Sequence, residues 1–175
     1  METNAISTKK HITKYGVILG VAIFACNLFL NLTDNNMNFK EWTISIIGVV
    51  ISLSIISYGL YNYKCANNGF LKLKRAFKIG MGIVLISAII HIIWIVLNET
   101  IFEPDLANKM MTINRDRIIR NNPSITPEEL HEQLAFFQKT NTIYFRIAFG
   151  LTGNILMGFI YVLISGLILA KKKDL

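Results

Sequence analysis

The side chains best equipped for chemistry in this sequence are few, and their spacings stop short of complete sites. Glu128 and His131 stand three apart, as in carboxylate-bridged di-iron bundles, where two such pairs and two further Glu residues converge. Only one pair occurs here. His131-Glu132-Gln133-Leu134-Ala135 opens like the zinc-protease motif, with Ala where the second His ligand would stand. There is no Gly-x-Ser-x-Gly elbow, phosphate loop or dinucleotide fingerprint. No catalytic, cofactor-binding or metal-binding set is therefore assigned, and the expectation is a non-enzyme without a cofactor.

A second group of polar residues is embedded in apolar sequence. Asn27, Ser87, His91 and Asn154 form a candidate polar interior. His91 falls about 18 Å along its apolar stretch at 1.5 Å per residue, one turn after Ser87. An ionisable side chain at such a depth in a membrane suggests a proton relay or a ligand contact. The preferred reading is a neutral imidazole bonded to a neighbouring helix, because no acidic partner lies in any apolar stretch. Asn27, Asn31, His91 and Asn154 could also line a polar path, yet ion-coupled carriers usually embed charged groups. Nor do the two halves form an inverted repeat, since both would enter from the same side.

The elements that must carry these residues follow from charge spacing. Tyr15 to Thr33, Trp42 to Tyr63, Ile79 to Asn98 and Ile147 to Ala170 contain no Asp, Glu, Lys or Arg. Each is close to the roughly 20 residues a helix needs to cross about 30 Å of hydrocarbon. The chain is 53% hydrophobic and 17% charged, below the roughly 25% charged of soluble domains. A soluble four-helix bundle would show a polar face on every helix, and these stretches have none. The first is too long for a signal peptide and lacks small residues at a cleavage position. The expected fold is all-α: a membrane bundle of four helices, spans about 15–33, 42–63, 79–98 and 147–170, in a single membrane domain over 1–175. Cys26 falls in the first span and Cys65 after the second, so a disulfide between them is not expected.

Basic residues in short loops are retained in the cytoplasm. Lys9, Lys10 and Lys14 precede the first span, Lys64, Lys72, Lys74, Arg75 and Lys78 form the connector after the second, and Lys171 to Lys173 follow the fourth. Asp34, Lys40 and Glu41 in a short turn, and the balanced segment from Glu99 to Arg146, occupy the other side. Both termini are thus expected in the cytoplasm. The net charge of +7 then reports topology and attraction to anionic headgroups, and no nucleic-acid partner is expected.

Small and polar residues mark one side of each span: Gly16, Gly20, Asn27 and Asn31; Ser45, Gly48, Ser52 and Gly59; Gly80, Ser87, His91, Trp94 and Asn98; Gly150, Asn154, Gly158, Tyr161 and Ser165. These sides should face inward. Gly16 and Gly20 make a small-xxx-small pair that serves internal packing, the preferred reading, or a homo-oligomer. Past the third span, Pro104 breaks the chain. Leu106 to Arg120 reads as a helix whose apolar residues Leu106, Met110 and Ile113, with Ala107, Met111 and Ile118 alongside, keep a loose helical period. Thr126-Pro127-Glu128-Glu129 starts another, with Thr at N-cap and Glu at N3. Without Gly or Pro from Glu128 to Phe149, that helix is expected to run on into the fourth span. The result is an outer helical hairpin over about 105–141, its tip near Asn122. Arg146 reads as a headgroup anchor.

Phe70 to Gly80 leading into the third span, Ile101-Phe102-Glu103-Pro104-Asp105 after it, and a long polar segment before a Gly-rich last span with a Lys-rich end resemble the bacterial membrane-protein family catalogued as domain of unknown function 4199. The resemblance implies a four-span inner-membrane protein of Gram-negative bacteria, with no established activity and no catalytic residues to carry over. The functional expectation is an interaction or accessory protein that uses its outer hairpin or basic cytoplasmic loop on a protein or on lipid. The alternative is a small transporter or channel subunit acting as an oligomer.

Overall fold

A computed structural model of the chain describes residues 7–33 and 41–170. Among the described residues there are six α-helices: α1 (Thr8–Thr33), α2 (Glu41–Ala66), α3 (Leu73–Leu97), α4 (Leu106–Asn121), α5 (Pro127–Thr140) and α6 (Ile143–Leu169), with a π turn at Asn98–Phe102. Four helical segments are long and apolar enough to cross a membrane: Thr8–Thr33, Ser45–Ala66, Leu73–Phe102 and Ile143–Leu169. They overrun the uncharged stretches, because Lys9, Lys64, Lys74 and Lys78 continue helices whose backbone bonds do not depend on side-chain charge. The expected basic connector is thus reduced to residues 67–72. Asp34, Lys40 and Lys171 to Lys173 lie outside the described residues.

The chain divides into two compact units, one of residues 1–91 with 151–175 and one of Ile92–Gly150. In the first, α3 is flanked by partners in two regular registers. Along α1, Ile12, Gly16 and Gly20 face Gly82, Ile86 and Ile90 of α3. The constant offset makes α1 and α3 parallel, and every layer pairs a glycine with an isoleucine. Along α6, Gly166, Val162 and Gly158 face Ala76, Gly80 and Val84. These positions run in opposite directions, so α3 and α6 are antiparallel, again with at least one small residue per layer. A Cβ on Gly80 would lie 2.6 Å from both γ-methyls of Val162, and one on Gly158 2.5 Å from Val84 Cγ1. Such pairing lets backbones approach where no water drives association, and dispersion contacts accumulate over the closed surface. The Gly16 and Gly20 pair therefore serves packing within the chain.

Ile56, Leu60, Ile79, Ile83, Val84 and Val162 centre the core, and Ser57 and Ser165 hydroxyls join α2 to α6 at 2.8 Å. The inward stripe expected on α2 holds only in its second half. Gly59 packs on Ile83 and Tyr15, whereas a Cβ on Gly48 would meet nothing within 4 Å, and Ser45 is exposed. Large apolar side chains cover the outer faces, among them Val21, Phe29, Ile89, Leu156 and Ile168, the last 75% exposed. On a protein in water such a surface would aggregate. Surrounded by hydrocarbon it is solvated, and the protein is a multi-pass membrane protein.

Candidate functional site

The unit of Ile92–Gly150 begins with the last turns of α3. Thr100 Oγ1 donates to Val96 O at 2.7 Å, Glu103 N reaches Asn98 O at 2.6 Å to close the wider π turn, and Trp94 stacks on Phe102 with ring centroids 5.9 Å apart. The π turn ends at Phe102, two residues before Pro104, whose ring removes the donor needed to continue the helix. Glu99 lies inside this turn.

The expected uninterrupted helix from Glu128 into the fourth span is broken at Asn141 and Thr142. The break has its own bonding: Thr142 Oγ1 accepts Phe145 N at 3.3 Å, as an N-cap does. Asn141 turns its side chain to other segments, donating from Nδ2 to Ala107 O at 2.8 Å and accepting from Arg146 Nη1 through Oδ1. Arg146, expected to anchor at headgroups, instead grips both oxygens of Glu99, with Nε to Oε1 at 2.5 Å and Nη2 to Oε2 at 2.7 Å. Their side chains are 23% and 11% exposed. The fork matches the carboxylate geometrically. One chain of contacts thus ties the π turn, the start of α4, the end of α5 and the start of α6. With both carboxylate oxygens of Glu99 engaged by the guanidinium, the arrangement acts as a clamp.

Above the clamp α4 and α5 pack together, and Asn141 on Ala107 sets the end of α5 beside the start of α4. Ala107, Met111, Asn114 and Ile118 of α4 are half-buried, as are Leu130, Leu134 and Phe137 of α5. Of the apolar residues expected on α4, Leu106, Ala107, Met111 and Ile118 are half-buried, while Met110 and Ile113 are exposed. Phe136 is 71% exposed. The α5 start is as expected: Thr126 caps Glu129 N at 3.3 Å and Glu129 returns a bond to Thr126 N at 3.1 Å. The ion pair of Lys109 with Glu103, 3.1 Å long, is exposed at the lysine and adds little. His131 and Glu128 are exposed, and no three His, Cys, Asp or Glu residues come together among the described residues.

Of the four polar residues singled out in the apolar stretches, Ser87 is buried, and Asn27, His91 and Asn154 are half-buried. Nδ1 of His91 is buried without a hydrogen-bond partner. No hydrogen bond joins any two of the four among the described residues. Sequence reasoning missed a different cluster. His11 is 6% exposed, and its Nε2 donates to Gly59 O at 2.8 Å. Its ring packs 4.6 Å from Tyr15 and 5.3 Å from Tyr63. Asn62 Nδ2 donates to Tyr15 OH at 2.8 Å, and Thr8 Oγ1 and Tyr63 OH are 3.2 Å apart. The four-residue spacing of His11 and Tyr15 was a signal, hidden because His11 lies between lysines, before the uncharged stretch. Cys26 and Cys65 are free thiols.

In a sequence comparison, residues 14–171 match the family described as Protein of unknown function (DUF4199). The chain belongs to that family. No curated protein and no solved structure matches it. Family membership brings no catalytic residue to test, so the features open to functional argument in this DUF4199 protein are its own: the clamped α4–α5 pair, the unpaired His91 nitrogen and the charge at the ends of its helices.

Proposed function

We propose that this DUF4199 protein is a non-enzymatic accessory protein of the bacterial inner membrane, with both termini in the cytoplasm, whose α4–α5 hairpin recognises a protein partner on the outer side. Orientation rests on the described lysines and arginines of residues 7–91, which all fall where α1 starts, α2 ends and α3 starts, the arrangement that positive residues adopt toward the cytoplasm. The observation that carries recognition is the clamp beneath an exposed apolar surface. Arg146, Glu99 and Asn141 fix the base of a short helix pair that leaves Met110, Ile113 and Phe136 uncovered. Preorganised apolar anchors of this kind lose little entropy on binding.

The test is crosslinking in native membranes, followed by mass spectrometry, for the wild-type chain and for one with Leu106 to Phe137 replaced by a short Gly-Ser linker. A partner captured by the first and lost from the second is expected; an unchanged set of partners refutes the reading. Tags at the two ends of the chain should label from the same side of a sealed vesicle.

The unpartnered Nδ1 of His91 favours a second reading, a transporter or channel subunit. In that case His91→Leu with Asn154→Leu abolishes activity while the hairpin deletion leaves it. The accessory reading expects the reverse.

A further inference from the structure

Between the end of α2 and the start of α3 lies a cavity of about 580 Å³ lined by Asn67, Asn68, Lys72, Lys74, Arg75 and Lys78, with Phe70 at its apolar edge. From these features, independently of the hairpin reading, we infer that the cavity binds a phosphate-bearing anion. None of the four cations forms an ion pair among the described residues. On α3, Lys74 and Lys78 are four apart and Arg75 and Lys78 three apart, spacings at which like charges repel. The first turn of α3 holds no acidic residue that would offset them. A bound anion would remove this repulsion, and the positive end of the α3 dipole adds to its field.

The four cations are exposed, and two features hold the cluster in place. The Arg75 guanidinium sits 5.9 Å over the Tyr63 ring, and Tyr63 is itself buried and in contact with Thr8. A cation positioned by a ring keeps its donor fork for a ligand. The turn beside it is also fixed: Asn68 and Gly69 take φ of +53° and +80°, Gly69 N closes on Lys64 O at 2.9 Å, and Asn67 Nδ2 donates to Phe70 O at 2.8 Å. The cavity exceeds a bare phosphate in size, and Phe70 offers an apolar contact to whatever the phosphate carries. A phospholipid headgroup and a soluble phosphate compound share this chemistry.

The experiment uses the full chain in neutral detergent, with native mass spectrometry for phosphatidylglycerol binding and calorimetry for inorganic phosphate. The site variant is Lys74→Gln/Arg75→Gln/Lys78→Gln. The control is Lys9→Gln/Lys10→Gln/Lys14→Gln, which removes equal charge from a second cavity of about 580 Å³ on α1. The expected result is at least tenfold weaker binding in the site variant and less than threefold change in the control. Loss seen with phosphatidylglycerol alone identifies a lipid headgroup as the ligand. Loss seen with inorganic phosphate as well, and competition between the two, identifies a soluble phosphate. Equal weakening in site variant and control, or wild-type affinity in the site variant, overturns the inference. Should the triple variant fail to fold, Arg75→Lys decides: it keeps the charge but loses the fork, and unchanged affinity for both probes overturns the assigned role of Arg75 and with it the site.

Discussion

In the unit built on α1, α2, α3 and α6, Val162 fills the space over Gly80, Val84 that over Gly158, and Ile86 and Ile90 those over Gly16 and Gly20. In the unit of Ile92–Gly150 the joining contacts are a bidentate ion pair, a side-chain amide on a backbone carbonyl and a capping box. No residue of α4 or α5 is fully buried. The difference follows from solvent. Where hydrocarbon surrounds the helices, apolar surface gains nothing by leaving its solvent, so close fit and small residues supply the cohesion. Where helices are short and polar, caps and paired charges hold the ends that helix propensity leaves loose.

The largest effect should come from closing the glycine gaps. Gly80→Ala with Gly158→Ala would push two methyl groups against β-branched side chains that cannot rotate away, costing about 3 kcal/mol or more together. Thermal unfolding in detergent would show it, and Val162→Ala should restore much of the loss due to Gly80→Ala. Failure of that rescue would break the layer-by-layer account. In the other unit, Arg146→Leu leaves Glu99 without its cation and should cost about 2–3 kcal/mol, less than a fully buried pair because both groups keep some solvent. Faster proteolysis between Asn98 and Thr142 would report it, with Gly158-region amides still protected from exchange.

Smaller effects sharpen the contrast. Thr126→Ala removes one cap, for about 1 kcal/mol, readable as faster amide exchange in the first turn of α5. Gly48→Ala and Gly153→Ala meet open space and should be neutral or stabilising by up to about 1 kcal/mol, since Ala is the better helix former. If either costs as much as Gly80→Ala, that face is covered by something outside this chain.

Much of the candidate site was legible as parts. The Thr126 cap and the α4 boundaries were readable because capping chemistry and proline act over three or four residues. The roles of Arg146 and Asn141 were not, since their partners Glu99 and Ala107 lie 47 and 34 residues away. The same holds for His11 on Gly59, 48 residues distant.

Uncharged length by itself determined that four helices are long and apolar enough to cross a membrane, because hydrocarbon rejects charge and demands internal backbone bonding whatever the neighbours. Only the tertiary structure decided which glycine receives which side chain, that Arg146 serves Glu99, and that the connector lysines flank a cavity. Those outcomes depend on register and rotation between distant helices, and periodicity narrows register and rotation to a face without naming the partner.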